Sequence, residues 1–245
     1  MRRFRLYVPT PLYASTPLTL SGDRAHYLGK VLRATPGTPL SLFNDSGLEY
    51  AASVSAITKH EVLVAVAEAH DPGTESPLRT LLALGISRGE RMDYAIQKST
   101  ELGVSRIQPL FTTHCEVKLD GSRQDKRIDH WQQVAISACE QSGRVRVPEV
   151  LAPLTLTAFV ERCDAALKLL FDQGETRHLA GAPPTGEVAL VIGPEGGLAP
   201  QEIALARQNG FVGIRLGPRI LRTETAPVAA LAVLQQLWGE DGRSG

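Results

Sequence analysis

Over residues 4–67 the apolar positions fall in short runs: Phe4–Val8, Thr38–Phe43, Tyr50–Ile57 and Glu61–Ala67. These runs are rich in β-branched and apolar side chains, and turn formers such as Asn44-Asp45-Ser46-Gly47 separate them, which is the pattern of strands. One helix is expected among them, capped by Asp23 with Leu28, Val31 and Leu32 on one side. Breakers and small polar residues then cluster from Asp71 to Pro77 and mark a linker. Beyond it the pattern changes. Short apolar runs at Leu81–Ile86, Ile107–Phe111, Leu167–Phe171, Val188–Ile192 and Val212–Leu216 alternate with helical stretches. The helices are expected over Gly89–Leu102, Arg123–Ser142, Pro200–Gln208 and Pro227–Trp238. Strands alternating with helices predict an α/β architecture with a largely parallel sheet. The division is therefore a small β domain over residues 1–72 and an α/β domain over residues 73–245.

The chain has 245 residues, enough for two modest domains, with 43% hydrophobic and 21% charged residues, as in soluble globular proteins. Basic and acidic residues balance at 26 each, so net charge points to no partner. Its distribution does. In residues 1–33, Arg2, Arg3, Arg5, Arg24, Lys30 and Arg33 stand against Asp23 alone. A basic end on a neutral protein fits either a phosphate-rich partner or a solvated face. The three cysteines, Cys115, Cys139 and Cys163, are widely spaced, which argues against a disulfide framework or a zinc cluster and fits a reducing cytoplasm. No apolar run approaches the ~20 residues of a membrane span, and the start MRRFRLYVPT lacks a signal-peptide core.

No GxxxxGK[ST] occurs, no GxGxxG follows the first strand of the α/β half, and HExxH is missing too. His114 and Cys115 are adjacent and would face opposite sides of a strand, so they are read as structural. Two glycine-bearing loops remain. Gly193-Pro194-Glu195-Gly196-Gly197 follows Val188–Ile192, and Leu216-Gly-Pro-Arg-Ile-Leu-Arg-Thr-Glu-Thr-Ala226 follows the last strand. Glycine lets backbone approach a ligand closely, and ligands of open α/β sheets lie beyond the carboxyl ends of strands. On neighbouring strands the two loops would wall one pocket with backbone amides and carbonyls; on spacing alone they are nearly as well read as two tight turns. Glu195 disfavours a triphosphate and tolerates a ligand with a positive centre. Thr223 or Thr225 is expected to cap the last helix, with Pro227 in its first turn.

The pairing of IGPEGGL with LGPRILRTETA resembles the SPOUT methyltransferases, and specifically the RsmE family, which methylates N3 of a uridine in small-subunit (16S) ribosomal RNA. Gln97-Lys98-Ser-Thr-Glu101-Leu-Gly103-Val with Ile107-Gln-Pro109, Ala138-Cys-Glu140-Gln141-Ser142-Gly-Arg144, and His26-Tyr-Leu-Gly-Lys-Val-Leu-Arg33 are similar to further stretches of that family. The resemblance spans most of the chain.

It implies a PUA-like, RNA-binding β-barrel followed by a parallel-sheet α/β domain with a C-terminal trefoil knot, the final helix threaded through a preceding loop. It also implies S-adenosylmethionine as cofactor, no metal, a homodimer and a cytoplasmic enzyme acting on 16S ribosomal RNA, with an assembled small subunit as the substrate. Other RNAs, or a non-catalytic assembly role, are the alternatives. Cofactor contacts are then expected from Leu170, Phe171, Gly193, Pro194, Gly196, Gly197, Leu216, Gly217, Ile220, Leu221 and Thr225. Glu224 is the candidate proton acceptor, or equally a residue that makes a helix-start hydrogen bond or an ion pair, and Arg222 the stabiliser of a uridine oxyanion or an RNA phosphate. Arg2, Arg3, Arg5, Lys30, Arg33, Gln141 and Arg144 are the candidate RNA contacts.

Overall fold

The computed structural model describes residues 4–117, 121–182 and 184–239. The chain divides into two compact units. One takes in the chain up to Glu75 together with Cys139–Arg146; the other takes in Ser76–Ala138 and everything from Val147. The expected linker is Asp71–Pro77, with a boundary between residues 72 and 73; the division falls between Glu75 and Ser76. The expectation misses that a distant segment belongs with the first unit.

The first unit is built on β1 (Phe4–Tyr7), β2 (Pro17–Ser21), β3 (Pro39–Phe43), β4 (Glu49–Ile57) and β5 (Glu61–His70). They form one sheet in the order β1-β3-β4-β5-β2, parallel between β1 and β3 and antiparallel elsewhere. In β5 the residues from Glu61 to Val66 alternate exposed and buried, so Val62, Val64 and Val66 face the core while their neighbours face solvent. The expected helix differs in detail. α1 (Gly22–His26) is short and continues as a π-helical turn over Tyr27–Val31. Asp23 lies inside its first turn, Ser21 is the cap position, and Val31 is 60% exposed while Leu28 is fully buried. The widened turn breaks the helical period that would have aligned those two side chains.

Cys139–Arg146 is held into this unit by polar contacts. Glu140 accepts the Tyr7 N–H at 3.0 Å. Arg144 donates to Glu75 through Nε at 3.1 Å and Nη2 at 2.8 Å, and Glu75 also accepts the N–H groups of Val145 and Arg146. Burial pushes the Cys139 thiol up to about 12, so it behaves as a packed, inert side chain.

The second unit carries β6 (Thr80–Gly85), α2 (Glu90–Glu101), β7 (Arg106–Phe111), α3 (Gly121–Ser142, whose last turn belongs to the first unit), β8 (Glu149–Val150), β9 (Leu154–Thr155) and α4 (Leu156–Arg162). β10 (Leu167–Phe171), β11 (Val188–Ile192), α5 (Pro200–Gln208), β12 (Val212–Ile214) and α6 (Thr225–Trp238) complete it. Every ladder of its sheet is parallel, in the order β12-β10-β11-β6-β7-β8, with β9 beside the end of β7. Strand alternation splits the core in two. Leu82, Leu84, Val188, Leu190 and Ile192 pack with Met92 and Ile96 of α2, Trp131 of α3 and Leu231 and Leu234 of α6. Leu81, Ala83, Ala189, Val191 and Leu170 pack on the other face with Leu156 and Phe159 of α4 and Ala206 of α5. Helices thus cover both faces, which is why β6 and β11 read as continuous apolar runs. Among the described residues no helix is long and apolar enough to cross a membrane.

Candidate active site

The loops at the carboxyl ends of β10, β11 and β12 enclose a cavity of about 600 Å³. The loops after β11 and β12 were expected to follow neighbouring strands. They do not: β10 lies between the two, and its end, Phe171-Asp172-Gln173, supplies a third wall. Phe171, Gly193, Pro194, Gly196, Gly197, Leu216, Gly217, Ile220 and Leu221 all line the space. Two expected residues do not. Leu170 is fully buried in the core on the α4–α5 side of the sheet, because alternation turns it away from its neighbour Phe171. Thr225 is the exposed first residue of α6, outside the lining.

The β11 loop needs its glycines at two points. Gly197 has φ 68°, a left-handed conformation that most side chains resist. A Cβ on Gly193 would lie 3.0 Å from the Gly197 carbonyl carbon, so the loop folds back on itself there. Glu195 faces the loop that follows β6. It accepts the Arg88 N–H at 3.1 Å and pairs with Arg91 at 3.0 Å. Burial works against its charge, but bonds from its own N–H, from Arg88 and from Arg91 prevail and hold the carboxyl below the usual range.

The β12 loop ends in Arg222-Thr223-Glu224. Arg222 is 81% exposed, and its Nη1 lies 4.0 Å from Glu224 Oε1. The Glu224 side chain is only 16% exposed, and its Oε2 is buried without a hydrogen-bond partner. A buried carboxylate oxygen left unpartnered keeps its capacity to accept a hydrogen bond. The expectation that a threonine caps α6 is corrected: Glu224 occupies the cap position with no side-chain cap bond. Thr223 turns inward instead, with Oγ1 donating to the Gly193 carbonyl at 3.0 Å and lying 3.2 Å from Ser87 Oγ.

Arg91, Asp172 and Gln173 also line the cavity and were not picked out from sequence. Their signal was topological: all three lie in or just beyond loops at the carboxyl ends of parallel strands. His114 and Cys115 lie just beyond the end of β7 rather than on it, with His114 Nδ1 2.9 Å from the Gly196 carbonyl and Cys115 Sγ 3.5 Å from the Ile86 carbonyl. Among the described residues no cluster of His, Cys, Asp or Glu is arranged to hold a metal.

In the first unit two candidate RNA contacts prove internal. Arg5 pairs with Glu49, donates to the Arg144 carbonyl at 2.7 Å and lies over the Phe43 ring. Arg144 is 5% exposed and committed to Glu75. Lys30, Arg33 and Gln141 are exposed, and Arg2 and Arg3 lie outside the described residues. Lys30 lines a second cavity of about 490 Å³ with His26, Lys59, His60 and Glu61. Beside it Tyr27 and Val31 are exposed, and Arg33 has φ 51°.

The model of the RNA methyltransferase domain family matches residues 74–235, and that of the RNA methyltransferase PUA domain matches residues 20–67. Ribosomal RNA small subunit methyltransferase E of Buchnera aphidicola subsp. Schizaphis graminum is 35% identical over 238 residues, covering 96% of this chain and 97% of that relative. The chain belongs to the ribosomal RNA small subunit methyltransferase E family. As in other members, its two parts have the PUA and methyltransferase folds. The solved ribosomal RNA small subunit methyltransferase E from Neisseria gonorrhoeae, bound to S-adenosyl methionine, superposes with a TM-score of 0.92 at 38% identity, covering 97% of this chain and 99% of that one. A Legionella pneumophila protein solved with the bound cofactor SAM gives 0.94 at 41% identity, over 98% of this chain and 100% of that one.

Proposed function

We propose that this member of the methyltransferase E family transfers a methyl group from S-adenosylmethionine to N3 of a uridine in 16S ribosomal RNA, within an assembled small subunit. The observation that carries the reading is the unpartnered Oε2 of Glu224 at the wall of a loop-built cavity. The residues present fit the donor. About 600 Å³ is a usual volume for a small-molecule site, and backbone groups of the β11 and β12 loops read an adenine edge without a charged side chain. Asp172 and Glu224 line the space with Glu195, which is paired to Arg91, and Arg215, Arg219 and Arg222 stand among them, so the wall offers carboxylates to a sulfonium and guanidinium groups to a carboxylate or phosphate. Phe171, Gly193, Pro194, Gly196, Gly197, Leu216, Gly217, Ile220 and Leu221 would hold it. When bound, the donor would supply an electrophilic methyl carbon, with its sulfur leaving as a neutral thioether that keeps the electron pair of the broken carbon–sulfur bond.

Glu224 takes the proton from N3 as that nitrogen forms its bond to the methyl carbon. Arg222, exposed and loosely paired, stabilises charge on the uracil O2 or O4 or holds an adjacent phosphate. The loops supply alignment, which is worth much of the barrier in a displacement of this kind. The trefoil knot belongs to the same reading: a chain drawn across the β11 loop would make the bond seen from Thr223 to the Gly193 carbonyl.

RNA docks on the first unit at Lys30, Arg33 and the basic cavity beside them, with Gln141, Arg2 and Arg3 as further contacts. The second copy of a homodimer covers exposed Tyr94, Val233 and Leu237 on α2 and α6. The substrate places the enzyme in the cytoplasm. The deciding experiment incubates small subunits that lack the modification with labelled S-adenosylmethionine and resolves the nucleosides. Label in N3-methyluridine is expected; label in another nucleoside, or none, overturns the assignment.

A further inference from the structure

We propose that Thr223 is the positioning residue that fixes the loop carrying Arg222 and Glu224 to the wall of the cofactor cavity, and that Ser87, which does not line that cavity, completes the brace. Arg222 and Glu224 flank a residue that points the other way. Thr223 is 8% exposed and Ser87 is 4% exposed. The Thr223 hydroxyl has one proton and gives it to the Gly193 carbonyl at 3.0 Å. Its oxygen also lies 3.2 Å from Ser87 Oγ, whose single proton is shared between Thr223 Oγ1 and the Gly85 carbonyl at 3.3 Å. The two hydroxyls thus link the Gly85 and Gly193 carbonyls through Ser87 and Thr223.

Gly193 opens the β11 loop. Among the described residues, the Thr223 hydroxyl makes the one hydrogen bond between the 216–224 loop and the 193–198 loop. A single side chain thus sets how the candidate base stands over the cavity wall. The segment 86–89 supports this from behind. It receives Glu195 at the Arg88 N–H and offers Ser87 to Thr223, while contributing no residue to the cavity lining. It is thereby tied to both walls. Threonine is required for its proton: valine has the same shape, leaves the Gly193 carbonyl unmatched and Ser87 Oγ with the Gly85 carbonyl alone, and releases the loop.

The inference rests on the functional reading above, so its test has one arm that needs no activity. In ligand-free protein, hydrogen exchange is followed at the amides of Thr225 and Ala226, which bond to the Arg222 carbonyl, and at Gly197, which bonds to Pro194. T223V is expected to speed exchange at these sites about tenfold or more, and T223S to leave it near wild type. In single-turnover methyl transfer, T223V should lose about tenfold or more in rate with the RNA KM within about twofold, and T223S should recover most of the loss. S87A should show a smaller loss, and the double variant T223V/S87A should be no worse than T223V. Wild-type exchange and rates in T223V overturn the brace, as do multiplying effects in the double variant. Should T223V fail to fold, S87A carries the test, and wild-type exchange in S87A overturns it. A wild-type protein that transfers no methyl group sinks the functional reading alone, because the exchange arm still decides the brace.

Discussion

Glu75 in the first unit accepts Arg144 Nε and Nη2 and the N–H groups of Val145 and Arg146, whereas Glu224 in the second meets Arg222 only at 4.0 Å and keeps Oε2 without a partner. Both arginines stood as candidate functional residues in the sequence. In the first pair Arg144 is buried and half-buried Glu75 has both oxygens bonded, so its charges serve the fold. The second pairs an exposed cation with a sheltered anion, which leaves bonding capacity for something that arrives. The two pairs thus differ in how far the fold fills the carboxylate.

The largest effect is expected where the unsaturated pair is changed. E224Q keeps the shape and removes the proton acceptor, so single-turnover methyl transfer should fall about 10²- to 10⁴-fold with the melting temperature unchanged. Wild-type rates would end the role of Glu224 as the base. Next comes the saturated pair. E75A removes the carboxylate that accepts two bonds from buried Arg144 and one each from the N–H groups of Val145 and Arg146, and denaturant titration should show a loss of about 3–5 kcal/mol. A near-neutral result would mean that Arg144 is solvated and that the comparison fails. A smaller effect is expected for K30A with R33A, which should weaken RNA binding and reduce the slope of log affinity against log salt by about 2. An unchanged slope would remove these residues from the interface.

The smallest effect concerns Glu195, whose carboxyl the structure holds below its ordinary range. A depressed folded value means that its stabilisation is full above the unfolded glutamate value and is lost as pH falls through the lower folded one. Melting temperature measured down the acid limb should therefore decline less steeply in E195Q than in wild type. Parallel limbs would show that the contacts to Arg88 and Arg91 contribute nothing.

Much of the second unit was legible because burial on both faces leaves an unbroken signature: Val188–Ile192 and Leu167–Phe171 are strands with the bounds read from sequence. α4 was missed although Thr155 caps it by accepting the Ala158 N–H and Leu156, Phe159 and Val160 have helical spacing. Its seven residues are too few for the period to stand out. β2 was missed because Leu18 and Leu20 alternate for only five residues, and pairing with β5 supplies the rest. The glycine loops of the site were legible as loops. That Leu170 faces away and Phe171 inward was not, because it depends on the parity of the register. Nor was the direction of Thr223: cap and brace place the same residue before the same helix, and only the distant Gly193 and Ser87 decide between them. The internal roles of Arg5 and Arg144 were hidden for the same reason, since Glu49 and Glu75 reach them only through the tertiary fold.

The membership of Cys139–Arg146 in the first unit has a consequence for synthesis on the ribosome. Glu75 emerges long before Arg144, and until then its carboxylate lacks the partner that the folded unit gives it. At usual elongation rates the intervening roughly 70 residues take about 4–14 s. The N-terminal unit therefore cannot close as it leaves the exit tunnel. It waits, incomplete, for a strip of chain translated after most of β6 to α3, and the order of folding is not the order of synthesis.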